Sequence, residues 1–219
     1  MSKLVYYPKI STLWKRGDNF GVQPGVWGLP EFECINLWDY YEKIDGMNVS
    51  FDFFRGVPWP EVTPGLEIRG RGLDTNWKMD QMNYLRSISA SIGDYVRKSM
   101  DEHQLKSYEI FGELYGPGIQ KGGVYGDRIL FRMFDIRVDE EVWLDMSALE
   151  EASMGLMIQT APLIGRTTAI EISDQVSYGI PSRIAESHIM EGVVARPTAR
   201  LYNMKGERVM FKLKTKDFK

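Results

Sequence analysis

The chain has 219 residues, of which 43% are hydrophobic and 26% charged, with a formal net charge of −3. This composition suits a soluble globular protein with room for one large domain or two small ones, and it excludes a disordered chain. The net charge does not announce a nucleic-acid binder, although a local basic stripe would not register in it. A single cysteine, Cys34, excludes an internal disulfide and fits a reducing compartment. Met1 to Ile10 lacks the apolar run of a secretory signal, and no window approaches the ~18 apolar residues of a membrane span. These features point to a cytoplasmic protein with no membrane partner.

In chain order, Gly17 to Pro30 is rich in glycine and proline and reads as loop. Val49, Phe51 and Phe53 alternate with Asn48, Ser50 and Asp52, which predicts a strand with one buried face. Arg55 to Gly65 holds Pro58, Pro60 and Pro64 and reads as a long turn. Thr75 to Gln104 is the best helix, with Leu85, Ile88, Ile92, Tyr95, Val96 and Met100 at helical spacing and Asp74, Thr75 and Asn76 able to cap its start. Gly93 counts slightly against it. Tyr108 to Leu114 and Ile129 to Val138 read as strands. Asp145 to Met157 and Pro181 to Met190 read as helices, and Gly192 to Arg196 and Val209 to Lys214 as strands. In the last of these, Val209, Phe211 and Leu213 share one face, and Met210, Lys212 and Lys214 the other. Strands and helices do not alternate regularly, so the pattern predicts an α+β fold with mainly antiparallel sheets. Cys34 reads as a small packed residue, Met154 and Met157 as core, and His103 and His188 as structural or exposed.

Chemistry gathers first at Lys43-Ile44-Asp45-Gly46. A lysine amine is a nucleophile only when neutral, a state favoured by burial or by nearby cations such as Lys212 and Lys214. Asp-Gly permits a tight turn beside it. Taken alone this is an ordinary surface lysine before a hairpin, but four more islands follow in order. They are Ile68-Arg69-Gly70-Arg71-Gly72; Phe111-Gly112-Glu113-Leu114-Tyr115-Gly116-Pro117-Gly118; Phe131-Arg132-Met133-Phe134-Asp135-Ile136; and Glu191-Gly192-Val193-Val194 followed by Phe211-Lys212-Leu213-Lys214. Each residue alone has a plain structural reading: Phe134 as core, Lys212 and Lys214 as a solvated face, Glu113 as an exposed carboxylate. Their joint order and spacing argue against that.

The islands resemble motifs I, III, IIIa, IV and V of the covalent nucleotidyltransferases, which include ATP-dependent ligases and mRNA capping enzymes. In detail they resemble the RNA ligase 2-like branch, which includes the RNA-editing ligases, through FGELYGPGIQ with FDI downstream and through Glu42-Lys43 with Asn48 five residues on. The likeness covers roughly residues 35 to 215. It implies that Lys43 attacks the α-phosphate of ATP, that Glu42 and Ile44 lie near the nucleotide, and that Asn48 serves steps after enzyme adenylylation. It implies that Arg71, or alternatively Arg69, contacts the nucleotide and the 5′-phosphate end. Glu113 would hold the ribose, Phe134 would stack on adenine, Glu191 would attend the catalytic metal, and Lys212 and Lys214 would grip phosphates.

The physical chemistry agrees with those roles. Two lysines on one strand face suit a triphosphate, a hard carboxylate suits Mg2+ or Mn2+, and an aromatic ring suits a base. The resemblance further implies a single ATP-grasp-like adenylyltransferase domain over residues 1–219. Two mainly antiparallel sheets would flank a nucleotide cleft, with helices outside. The implied partners are RNA ends bearing a 5′-phosphate and a 3′-hydroxyl, with a monomer favoured. Asp45 stands where many RNA ligase 2-like proteins have histidine, while aspartate is usual in DNA ligases and capping enzymes. The chain ends five residues after Lys214, where many ligases continue into an accessory domain; no such domain is expected within these residues, and either this is a minimal ligase, or the sequence is truncated, or another chain supplies that part. The basic tail (Lys205, Arg208, Lys212, Lys214, Lys216, Lys219) either extends a phosphate path or is solvated. A DNA ligase, a GTP-using capping core, or a nucleotide- or RNA-binding module without catalysis are the competing readings.

Overall fold

The structure is a computed structural model that describes residues 7–18, 20–55, 65–72, 75–185 and 187–218. Its elements in chain order are β1 (Ser11–Thr12), β2 (Trp14–Arg16), β3 (Val22–Trp27), β4 (Trp38–Lys43), β5 (Met47–Phe54), β6 (Leu66–Gly70), α1 (Met79–Glu102), β7 (Ser107–Tyr115), β8 (Leu130–Val138), β9 (Val142–Trp143), α2 (Met146–Leu156), β10 (Leu163–Thr167), α3 (Ala169–Tyr178), β11 (Gly192–Pro197) and β12 (Phe211–Lys214). The chain divides into two compact units, residues 1–7 with 46–160 and residues 8–45 with 161–219. No described helix is long and apolar enough to cross a membrane.

In the first unit the sheet order is β6-β5-β7-β8-β9, and every pairing is antiparallel. The apolar phase of β5 is buried as predicted, with Val49, Phe51 and Phe53 at 0% exposure, but the opposite face is not open: Ser50 and Asp52 are buried too. Val49, Phe51 and Phe53 join Ile110 and Leu114 of β7, Met133 and Ile136 of β8, and Leu85, Ile92 and Val96 of α1 in one core. Each such side chain contributes roughly 1.5–3 kcal/mol by leaving water. Helix α1 begins later than the expected Thr75. Thr75 instead donates its hydroxyl to the Gly72 carbonyl at 3.0 Å, and Gln81 Oε1 accepts from the Lys78 amide at 3.1 Å. The proposed cap group falls partly on residue 74, outside the described residues, as does most of the Arg55 to Gly65 turn. The expected α2 forms, with Asp145 Oδ1 accepting from the Ala148 amide at 2.9 Å. Met154 and Met157 are not core: they are 73% and 84% exposed. Helix α2 buries the stripe Leu149, Ala152 and Leu156, which misses Met154. Met157 lies past the helix end with φ 55°.

In the second unit the sheet order is β1-β12-β11-β4-β10, antiparallel except for the β1–β12 pair. Its core takes Trp38 and Tyr40 of β4, Val193 and Ala195 of β11, Phe211 and Leu213 of β12, and Ile172 and Val176 of α3. Three expectations fail here. Gly17 to Pro30 is not all loop: β3 pairs with β2, where Trp27 lies 4.5 Å from Trp14, and a two-stranded ribbon has the edge that Pro24 requires. Cys34 is exposed, because the preceding turn, Pro30–Phe32, sends Phe32 inward instead. Pro181 to Met190 is not a helix. Its amides bond to side chains, with Arg183 donating to Glu42 and Ile184 and Ala185 to Ser182. The helix that does form, α3, carries a capping box: Thr168 Oγ1 accepts from the Glu171 amide at 3.3 Å, and Glu171 reaches back to the Thr168 amide at 3.4 Å. His103 and His188 are exposed, as expected.

Candidate active site

In the second unit, alternation along β4 sends Trp38 and Tyr40 into the core, so Asp39, Tyr41 and Lys43 face the other way. Register then places Lys43 of β4 opposite Gly192 of β11, and Gly192 opposite Lys214 of β12. Two lysines thus flank a residue with no side chain. An added Cβ at Gly192 would come within 2.0 Å of the Leu213 carbonyl oxygen. Glu191, just before β11, reaches both lysines: Lys43 Nζ donates to Oε2 and Lys214 Nζ to Oε1, each at 2.5 Å. Lys43 and Lys214 side chains are 22% exposed and Glu191 14%, so the clasp is largely shielded from water. Burial alone would raise the pKa of Glu191, but the charge of Lys43 and the hydrogen bonds from both lysines outweigh it and bring the value below the ordinary 4.5. Glu191 therefore holds its charge.

Lys212 shares the face of Lys214, two residues along β12, and is half-buried. Next to this row, Arg196 stacks 4.5 Å over the Tyr41 ring, and Arg166 forks onto Asp39 at 2.5 and 3.1 Å. Glu42, on the core side of β4, is 2% exposed. Its carboxylate accepts from Ser182 Oγ at 2.5 Å and from the Arg183 amide at 2.7 Å. That carboxylate anchors the segment leading to Glu191. Ile44 is buried beside Lys43.

The first unit carries the other expected residues on the sheet face turned away from its core. Asn48 of β5 is in register with Glu113 of β7, and both are half-buried. Register slips by one residue between β7 and β8: Phe111 faces Asp135 and Gly112 faces Met133, which leaves Phe134 as the extra residue of a bulge. A bulge re-aims a side chain. The Phe134 ring lies 4.9 Å from that of Tyr7. Arg69 pairs with Asp52 and, at 3.6 Å, with Glu109, which itself forks onto Arg137 at 2.5 and 2.7 Å. Arg71, past the end of β6, is exposed. Of the two candidate arginines, Arg69 is thus committed to internal ion pairs. Asp52 is fully buried, and burial pushes its pKa up to about 6 against the lowering effect of Arg69.

The structure therefore gathers Lys43, Glu191, Lys212 and Lys214 in one unit, and Asn48, Glu113 and Phe134 on one sheet face of the other. The sequence reading missed Ser182, Tyr7 and Asp52. Only Asp52 had a signal, the polar phase Asn48, Ser50, Asp52 of β5.

A sequence model of the RNA ligase family matches residues 38–214. Among solved structures, a mutant of the Naegleria gruberi RNA ligase with ATP and Mn aligns at TM-score 0.63 and 13% identity, covering 97% of this chain and 62% of that one. Naegleria gruberi RNA ligase with PPi aligns at TM-score 0.62 and 14% identity, covering 97% and 62%. A further mutant of that ligase, with AMP and Mn, aligns at TM-score 0.62 and 13% identity, covering 99% and 61%. At these identities the likeness is one of fold, and this chain spans less than two thirds of the length of each of these solved chains.

Proposed function

This chain belongs to the RNA ligase family, and from that membership we propose that it is an ATP-dependent RNA ligase acting through a covalent lysyl-AMP on Lys43. The observation that carries the proposal is the clasp of Lys43 and Lys214 on the two oxygens of Glu191. It brings together, at the ends of neighbouring strands, the side chains proposed as nucleophile (Lys43), fixed negative charge (Glu191) and phosphate-binding cation (Lys214).

In the first step Lys43 Nζ attacks the α-phosphorus of ATP. Nζ first gives up one ammonium proton to water; a P–N bond then forms, the bond to pyrophosphate breaks, and a second Nζ proton passes to the departing pyrophosphate or to water. Glu191, which stays ionised, orients Nζ rather than storing either proton. Lys212 and Lys214 offset the charge of the leaving pyrophosphate. A 5′-phosphate oxygen then attacks the adenylyl phosphorus, breaking the P–N bond, and Arg71 meets the incoming phosphate. Finally a 3′-hydroxyl attacks the 5′-phosphorus and AMP leaves, with Asn48 serving these later steps. Glu113 holds the ribose, Phe134 stacks on adenine, and Glu42 and Ile44 shape the strand end that presents Lys43. The family match runs through both units, which supports treating them as one adenylyltransferase domain. RNA ends held in a duplex or at a nick are the proposed substrate. The lone Cys34 suits a cytoplasmic setting.

Mg2+ and Mn2+ take one or two carboxylates together with phosphates and waters. Among the described residues no cluster of three or more His, Cys, Asp or Glu side chains could hold an ion unaided. A single carboxylate, that of Glu191, would be enough for an ion delivered with the triphosphate, and the ion would neutralise phosphate charge.

The test is covalent labelling with α-labelled ATP or GTP and Mg2+, beside Lys43→Ala. Label from ATP, lost in the variant, is expected. Label from GTP alone would move the assignment to a capping-type enzyme. No label from either, with folded protein free of bound AMP, would overturn the proposal.

A further inference from the structure

Phe134 has no residue opposite it in the β7–β8 register, so the ladder does not set the direction of its ring. Side-chain packing must do so. Tyr7 meets the bulge at two points. Its ring lies edge-on to Phe134, with centroids 4.9 Å apart and planes at 73°. Its hydroxyl donates to Oδ2 of Asp135, the next residue, at 2.8 Å. Tyr7 is itself held in place, 5.3 Å from Phe111 and 5.6 Å from Trp143. Arg137 in turn lies 5.7 Å over Phe111 and 5.1 Å over Trp143.

We propose that Tyr7 is a positioning residue for the nucleotide base, holding the Phe134 ring in the orientation that stacks on adenine. This rests on Phe134 being the stacking residue. The phenol anchored on Asp135 and the ring edge against Phe134 grip consecutive residues of the bulge, so the base platform is preformed. A ligand that meets a preformed ring does not bear the cost of ordering it. Tyr7 touches Phe134, so its proposed effect reaches the base through that ring. Its loss therefore weakens ATP binding and leaves the bound-state rate alone.

The experiment uses the full chain with Tyr7→Leu, Tyr7→Phe, Phe134→Ala and the Tyr7→Leu/Phe134→Ala double variant. ATP affinity is measured at equilibrium, the lysine labelling rate at saturating ATP, and folding by thermal melting. The expected result is about tenfold weaker ATP binding for Tyr7→Leu and about threefold for Tyr7→Phe, with saturating rates within about twofold of the parent. Tyr7→Leu should add nothing to Phe134→Ala, because the residue it positions is already gone. Normal ATP binding in Tyr7→Leu, or effects that multiply in the double variant, would overturn the proposal while leaving Phe134 stacking intact. Normal ATP binding in Phe134→Ala would overturn the stacking reading, and the Tyr7 proposal with it. If Tyr7→Leu fails to fold, Tyr7→Phe decides alone: it keeps the ring, removes only the bond to Asp135, and must weaken ATP binding.

Discussion

Replacing Glu191 with glutamine removes one charge from the centre of the clasp and leaves the shape nearly unchanged. The carboxylate accepts two charge-assisted hydrogen bonds at 2.5 Å, each contributing about 1.5–3 kcal/mol. Glutamine keeps one weaker acceptor, and the lysines are partly exposed, so the net loss is about 2–3 kcal/mol. For a chain of this size that corresponds to a fall of about 4–12 °C in Tm. The pH dependence has a definite sign. The pKa of Glu191 is lower folded than its ordinary 4.5. Its contribution is therefore complete above 4.5 and is lost as pH falls through the folded value. Melting wild type and Glu191→Gln from neutral to acid should show a large gap at neutral pH that closes in acid. The labelling rate at neutral pH should fall at least about a hundredfold, because Nζ loses its oriented acceptor. Equal melting temperatures at neutral pH, or a gap that persists unchanged in strong acid, would refute the reasoning.

Two further variants test the scaffold. Gly192→Ala forces a Cβ to within 2.0 Å of the Leu213 carbonyl oxygen and 2.6 Å of the Lys214 Cα. Both are backbone atoms, so β11 and β12 must separate. A loss of about 3 kcal/mol or more in denaturant unfolding is expected, together with loss of labelling. Asp52→Asn removes a buried carboxylate whose pKa is raised from 3.8 to about 6. The folded state binds more protons than the unfolded state in that window, so Asp52 lowers stability as pH rises from 3.8 to about 6. The wild type should therefore lose on the order of 1–3 kcal/mol relative to Asp52→Asn across the window, measured by urea unfolding at a series of pH values. A difference that does not change with pH would contradict this.

The parts of the fold legible in the sequence are those coded by local periodicity. β5, α1 and β12 bury the apolar positions that their patterns implied, and β7, β8, α2 and β11 form where strands and a helix were expected, although the expected core residues Met154 and Met157 are exposed. Even the bulge is written there. The apolar phase of β8 runs on odd positions through Phe131 and Met133, then on even positions through Ile136 and Val138. That one-residue slip places Phe134. Misreadings arose where side chains took over from the backbone. Residues 181–190 have the composition of a short helix, but Ser182 and Glu42, 140 positions apart, supply the acceptors that three of its amides use. No window of sequence contains both partners. The reverse error is α3, whose signal was local and present: Thr168 with Glu171 is the spacing of a capping box.

The site divides along the same line. Its motifs were legible because close backbone approach dictates composition, and glycine at three of the islands answers to that. A Cβ at Gly46 would meet the Leu114 carbonyl oxygen at 2.4 Å, one at Gly112 the Phe131 ring at 2.2 Å, and one at Gly192 the Leu213 carbonyl oxygen at 2.0 Å. Such positions allow no other residue without moving a strand, so glycine marks this chain beside the reactive side chains. Tyr7 and Ser182 act through side-chain contacts made over 128 and 140 positions. Those contacts depend on register rather than on any neighbouring residue, and only the folded chain reveals them. The residues a motif names are thus the ones held by backbone geometry, while the residues that hold those side chains in position have to be read from the structure.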